Sequence, residues 1–146
     1  MKYLISLLAA TLCITAFWGF RGNQEKDPWA KEQLMPPAEL AEKIKNNDLH
    51  QTTIFNIGPA GNIKGSIEIG ATQEAEHLAQ LKKELTDLPK DREVVIYCGC
   101  CPFRDCPNIR PAFELLKEMK FKNAKLLNLS KNLKVDWIEK GYPLAP

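Results

Sequence analysis

Apolar residues recur along the chain in two alternating patterns, short continuous runs and longer repeats at helical spacing. The runs TTIFNIG from Thr52, REVVIYC up to Cys98 and AKLLNL from Ala124 predict buried strands. Helical repeats predict a short helix that starts at residues 36–37 and is stopped by the polar cluster at residues 46–48, and further helices over residues 72–88, 109–119 and 131–139. Strands that alternate with helices predict an α/β domain with a parallel sheet and helices on both of its faces.

Residues with special backbone preferences indicate where these helices begin and end. Thr72 is suited to be the N-cap of the second helix, and Pro89 follows its end. Pro111 is acceptable in the first turn of the third helix. Gly141 is placed to close the last helix in a left-handed conformation.

The N-terminal segment has the layout of an export signal. Lys2 is followed by an uncharged apolar stretch over residues 3–20, in which Cys13 is one more apolar residue. We therefore expect residues 1–20 to be a signal peptide or an N-terminal membrane anchor. The protein would then act in the periplasm, released or held at the membrane facing it. Residues 21–36 are polar and broken by prolines, which predicts a polar tether before a domain at residues 37–146.

The charge balance excludes one class of partner. The formal net charge of the 146 residues is +2, and the basic residues form no stripe interleaved with aromatics. Nucleic-acid binding needs such a concentrated basic surface, so no nucleic-acid partner is expected.

Four of the five cysteines lie within nine residues, in the stretch YCGCCPFRDCPNIR that begins at Tyr97. Cys98 directly follows the predicted central strand, and ligands of parallel sheets bind just beyond the carboxyl ends of strands. Backbone N–H groups of the following loop and helix start favour a thiolate there, which predicts a nucleophilic Cys98. Arg104 and Arg110 are candidates to bind an oxyanion.

Three segments together resemble rhodanese-like sulfurtransferase domains: VVIYC before the loop, GNIKGSIEI upstream and DWIEKGYPL near the end. The resemblance covers residues 36–146 and implies a three-layer α/β/α fold with a central parallel sheet. It implies that Cys98 takes sulfane sulfur from a thiosulfate-like anion as a persulfide and passes it to a thiol acceptor, without a cofactor. The loop residues expected to bind the donor are Gly99, Cys100, Cys101 and Phe103, with Arg104 and Arg110 assisting catalysis.

Several residues depart from the common pattern of that family. Asn56 and Gly58 stand where an Asp and an Arg are usual, and Ser130 to Asn132 replace a Gly-Gly. The loop is also about four residues longer than the common rhodanese loop. Its sequence CGCCPF-x-x-CPN-x-RPAF resembles a subgroup of exported bacterial rhodanese-like proteins.

Other chemistry is compatible with the same loop. The spacing C-x5-R from Cys98 to Arg104 also resembles phosphatases and arsenate reductases on the rhodanese fold, although Asp105 would repel an anion. The clustered thiols could bind a soft metal ion such as copper(I). Cys100, Cys101 or Cys106 could resolve a reaction at Cys98 by thiol-disulfide exchange, with Cys101 and Cys106 the preferred resolving residues. A structural disulfide between Cys101 and Cys106 is a further alternative.

Overall fold

A five-stranded parallel sheet forms the centre of the computed structural model, which describes residues 27–146. The sheet order is β1-β5-β4-β2-β3, and every neighbouring pair is parallel. This arrangement confirms the predicted parallel sheet and places β4 at its centre. The strands are β1 (Leu34–Met35), β2 (Thr52–Asn56), β3 (Ser66–Glu68), β4 (Glu93–Tyr97) and β5 (Asn123–Leu127).

Helices cover both faces of the sheet and complete three layers. The buried side chains of α2 and α3 form one core with one sheet face, and those of α1 and α4 form a second core with the other. The expected α/β architecture with helices on both faces is thereby confirmed. The helices are α1 (Pro37–Lys45), α2 (Ala75–Thr86), α3 (Ile109–Glu118) and α4 (Leu133–Asp136).

The central strand β4 is buried on both sides because its alternate side chains enter different cores. Val94 and Ile96 lie in the core under α2 and α3, whereas Val95 and Tyr97 lie in the core under α1 and α4. A strand buried on both faces needs apolar residues at every position, which explains its continuous apolar run. The strand ends at Tyr97, so the loop that begins with Cys98 leaves the sheet at its carboxyl edge.

The start of α2 differs from the prediction. The helix begins at Ala75, after Glu74 as N-cap, and Thr72 lies outside it. The Thr72 side chain is buried, and its hydroxyl donates a hydrogen bond of 2.7 Å to the backbone carbonyl of Asn108. The N-cap prediction for Thr72 is therefore wrong, because a tertiary contact uses the hydroxyl instead.

The last predicted helix is divided into two short pieces. Asn132 caps α4 by accepting a hydrogen bond of 2.9 Å from the backbone N–H of Val135. A 3-10 turn at Ile138–Lys140 follows, and Gly141 ends it with a φ of +68°. The predicted left-handed end at Gly141 is confirmed, since that backbone conformation favours glycine.

The folded unit extends into the segment expected to be a tether. Strand β1 pairs with β5, and Trp29 is only 6% exposed. The Trp29 ring packs edge-on against Phe103 and Phe113, with ring centroids 5.9 and 5.8 Å apart. Residues 27–36 therefore belong to the domain and not to a tether.

The predictions for the export segment and Cys13 concern residues 1–26, which lie outside the described residues. Among residues 27–146, none of the helices has the length and apolar character needed to cross a bilayer.

Candidate active site

Cys98 is held in a tight space immediately after the central strand. Its side chain is 2% exposed. Gly58, from the loop after β2, lies so close that an added Cβ would collide with Sγ of Cys98 and stand 2.9 Å from its carbonyl oxygen. The absence of a side chain at residue 58 thus makes the room in which the Cys98 sulfur lies.

Several hydrogen-bond donors converge on the Cys98 sulfur. The side-chain amide of Asn108 donates to Sγ at 3.2 Å, and Sγ of Cys100 also lies at 3.2 Å. The Cys106 thiol makes the largest contribution to lowering the pKa of Cys98, and the backbone N–H of Cys100, the Asn108 amide and the Cys100 thiol add to it. Burial opposes these donors, yet the pKa of Cys98 falls to about 5. Hydrogen bonds to the charged form favour that form, so Cys98 is a thiolate at neutral pH.

Asn108 is fixed so that its N–H₂ group faces the sulfur. The residue is 3% exposed, and its Oδ1 accepts a hydrogen bond of 3.1 Å from the backbone N–H of Gln73. Its backbone carbonyl accepts from Thr72. With the oxygen held by a donor, the amide nitrogen is left to donate to Cys98. Sequence reasoning missed this role, although the CPN motif contained the residue.

The neighbouring thiols remain protonated around this one thiolate. Partial burial and the contacts with Cys98 and Cys101 raise the pKa of Cys100 to about 12. The hydrogen bond to Cys98 likewise raises the pKa of Cys106, which is buried. A negative charge on one sulfur thus disfavours a second one beside it. The arrangement supplies one nucleophile and two thiol donors.

The four loop cysteines have different positions in the cluster, and none of the four forms a disulfide. The sulfurs of Cys98, Cys100 and Cys106 lie within 4.8 Å of one another. Cys101 is not a member of that group, and its sulfur lies 3.2 Å from that of Cys100. Thiolates about 2.3 Å from a common ion stand about 4 Å apart, so the three sulfurs have the spacing that a soft metal ion requires.

The backbone of the loop is fastened to the C-terminal part of the domain. Gly99 has a φ of +78°, and a Cβ there would stand 2.9 Å from Cβ of Leu133. The Gly99 carbonyl accepts from the N–H of Leu133 at 2.8 Å, and the N–H of Phe103 donates to the carbonyl of Leu129 at 3.2 Å. The Phe103 ring is also buried against Trp29, so both its ring and its amide N–H make contacts within the fold. A role of Phe103 in binding the donor stays a prediction.

Both candidate arginines are paired with a carboxylate from the N-terminal segment. Arg104 donates to Asp27 at 3.1 Å, and Arg110 donates to the other oxygen of the same carboxylate at 2.7 Å. The side chain of Arg104 is 64% exposed, whereas those of Arg110 and Asp27 are partly buried. Each guanidinium donates one of its five N–H groups to Asp27, so this carboxylate would compete with an anionic substrate for both arginines.

Asn56 organises the loop that carries Gly58. It is fully buried at the end of β2, and its Nδ2 donates to the carbonyl of Ala60 at 2.8 Å and to Oδ1 of Asn62 at 2.9 Å. Its Oδ1 accepts from the N–H of Gly58 at 3.2 Å. Asn56 and Gly58 stand where the rhodanese-like pattern usually has an Asp and an Arg, so the ion pair of those two residues is replaced here. Neutral hydrogen bonds from Asn56 hold the loop instead.

Comparisons with known proteins add no family assignment. No protein-family model matches the chain, and the search of the curated proteins finds no match.

Proposed function

We propose that this chain is a rhodanese-like sulfurtransferase in which Cys98 carries sulfane sulfur as a persulfide. The observation that carries the proposal is the Cys98 sulfur itself, buried at the carboxyl end of the central strand and surrounded by donors that favour its thiolate. The sequence resemblance over residues 36–146 supports the same reaction class. A low-pKa cysteine in such surroundings is typical of reactive rather than structural cysteines.

The reaction proceeds in two nucleophilic displacements. The Cys98 thiolate attacks the sulfane sulfur of a thiosulfate-like anion, the S–S bond of the donor breaks, and sulfite leaves with the bonding electrons. The terminal sulfur of the new persulfide then carries the negative charge. An acceptor thiolate attacks that terminal sulfur, and Cys98 leaves as a thiolate again. The covalent intermediate divides one transfer into two easier steps.

The donors around Cys98 serve both the nucleophile and the leaving group. The Asn108 amide and the Cys100 N–H stabilise negative charge on Sγ before the first step and after the second. No metal or cofactor is needed for either displacement. We further propose that the partners are a small sulfur-containing anion and a thiol, and that the protein acts outside the cytosol.

A soft metal ion is a second candidate occupant of the site. It is favoured by the three sulfurs of Cys98, Cys100 and Cys106, which lie within 4.8 Å of one another. A bound ion would be coordinated by the Cys98 thiolate, which could then not attack a sulfur donor. Metal binding and sulfur transfer therefore exclude each other in one molecule. The arsenate reductase or phosphatase alternative has less support, because the Arg104 guanidinium is engaged by Asp27.

The test is steady-state sulfite formation from thiosulfate with dithiothreitol as acceptor. Cys98→Ser should lower kcat/KM by at least about a thousandfold, since the nucleophile is lost. Cys101→Ser makes the same replacement at a thiol outside the three-sulfur group. It should retain transfer, with a higher KM if Cys101 binds the donor as the sequence suggests. If Cys98→Ser turned over like the unsubstituted protein, the proposal would be wrong. Inactivity of the unsubstituted protein together with binding of one copper(I) would favour the metal alternative.

A further inference from the structure

Three cysteine sulfurs contact one another in sequence order, beginning with the buried Cys98. Sγ of Cys98 is 3.2 Å from Sγ of Cys100, which is in turn 3.2 Å from Sγ of Cys101. Cys98 is buried, Cys100 is exposed and Cys101 is intermediate. The thiol nearest to the nucleophile on this path is therefore also one that solvent can reach.

The loop conformation brings Cys98 and Cys100 together. Gly99 between them adopts a φ of +78°, a left-handed conformation that other residues rarely adopt. The turn allows the Sγ atoms of residues two positions apart to touch. An external thiol must approach a sulfur on a side chain that is only 2% exposed, whereas Cys100 is already in contact with it.

We propose that Cys100 resolves the Cys98 persulfide and releases its outer sulfur as sulfide, an activity that rests on the proposed function. The Cys100 thiol passes its proton to the outer sulfur of the persulfide. The Cys100 thiolate then attacks Sγ of Cys98, the persulfide S–S bond breaks, and HS⁻ leaves as the disulfide between the two cysteines forms.

Atoms and electrons balance with the sulfur donor as the oxidant. Thiosulfate and two cysteine thiols give sulfite, hydrogen sulfide and one disulfide, so the sulfane sulfur is reduced while the two cysteine sulfurs are oxidised. An external dithiol then reduces the disulfide by thiol-disulfide exchange and restores the site. Because Cys100 is exposed, its sulfur is the one that this dithiol attacks.

The positions of the other two thiols favour Cys100 over them. Cys101 contacts the sulfur of Cys100, and it is not a member of the group of sulfurs around Cys98. Cys106 belongs to that group but is 2% exposed, so a disulfide from Cys98 to Cys106 would bury both sulfurs away from a reductant. The structure thus points to a different resolving residue from the Cys101 and Cys106 expected from the sequence.

The test mixes fully reduced protein with thiosulfate, without an acceptor, and measures sulfite, sulfide and intact mass after alkylation. The unsubstituted protein should release sulfite and sulfide in equal amounts and lose two alkylatable thiols. Cys100→Ser keeps a hydroxyl donor beside Cys98 and should release sulfite alone, with a mass gain of one sulfur that reductant removes. Cys101→Ser removes a thiol that the sequence favours as the resolving residue, and under the present proposal it should still release one sulfide for each sulfite.

Two results would overturn the inference while leaving sulfur transfer intact: a stable persulfide with no sulfide in the unsubstituted protein, or equal sulfide from Cys100→Ser. Absence of sulfite from every variant would instead overturn the proposed function, and the resolving step with it.

Peptide mapping identifies the disulfide directly. Trypsin cleaves after Arg92 and Arg104, so Cys98, Cys100 and Cys101 fall in one peptide and Cys106 falls in the next. The proposal predicts a disulfide within peptide 93–104 that persists in Cys101→Ser. A disulfide that links this peptide to the one with Cys106 would contradict it.

Discussion

At the scale of single residues, the site depends on contacts between segments far apart in the sequence. Cys98 could be placed from the sequence because a cysteine directly after a buried central strand lies at the sheet edge where ligands bind. The roles of Asn108 and Gly58 could not be predicted. Each depends on how another loop or helix start packs against Cys98, and no local pattern records that packing.

Removing the Asn108 amide should make Cys98 less acidic. Asn108→Ala deletes a donor to the thiolate, and a hydrogen bond to a charged group contributes about 1.5–3 kcal/mol, equivalent to about one to two pH units. Because the pKa of Cys98 is lowered to about 5, we expect the midpoint of its alkylation by iodoacetamide near that pH in the unsubstituted protein, and a higher midpoint in Asn108→Ala. Below its midpoint the thiol is protonated and alkylation is slow, and above it the rate is constant.

Gln73→Ala is the control for this experiment, because Gln73 contacts Asn108 through its backbone N–H, which the substitution keeps. An unchanged midpoint in Asn108→Ala would show that the amide does not stabilise the thiolate.

Filling the space at residue 58 should displace the nucleophile. In Gly58→Ala the new methyl group collides with Sγ of Cys98 and also approaches the backbone of Cys98. Either the sulfur or the loop must therefore move. Overpacking of this kind costs about 1–3 kcal/mol of stability, and a small misplacement of a reacting atom costs about a hundredfold in rate. We expect a folded protein with kcat/KM for thiosulfate lowered by at least about tenfold. Full activity in Gly58→Ala would mean that the position of Sγ is not restricted as described.

At the scale of elements, the sequence predicted buried strands and amphipathic helices better than short or peripheral pieces. Strand β4 was predictable because burial on both faces demands a continuous apolar run. Strand β1 has two residues, too few to show a pattern, so the sequence there indicates only a polar segment broken by prolines. The start of α2 was misplaced because Thr72 has the right type for an N-cap but uses its hydroxyl on Asn108.

The N-terminal segment should contribute substantially to stability. Trp29 is 6% exposed and packs on Phe103 and Phe113, so Trp29→Ala leaves a cavity beside the cysteine loop. Large aromatic-to-alanine changes in a core cost about 3–5 kcal/mol. Urea unfolding should show a loss of this order, whereas Lys31→Ala, at an exposed residue of the same segment, should change stability by less than about 0.5 kcal/mol. Equal stability of Trp29→Ala and the unsubstituted protein would restore the view of residues 27–36 as a tether.

At the scale of the whole molecule, the parallel sheet brings the separate parts of the site to one edge. Strands β2 and β4 are neighbours in register, so the loops after Asn56 and Tyr97 leave side by side and place Gly58 against Cys98. The start of α3 then brings Asn108 onto the same sulfur. Alternation of strands and helices predicted this architecture from the sequence, but the order of the strands and the partners of the loop thiols required the three-dimensional structure.

The most direct test of the account is a single-turnover measurement of sulfite released when reduced protein meets excess thiosulfate without an acceptor. The account predicts a rapid burst of one sulfite per chain, because each Cys98 accepts one sulfane sulfur whether or not Cys100 then resolves the persulfide. Cys98→Ser should give no burst, while Cys101→Ser gives the full amount. A burst of equal size from Cys98→Ser, or none from the unsubstituted protein, would contradict the assignment of Cys98 as the sulfur-accepting nucleophile.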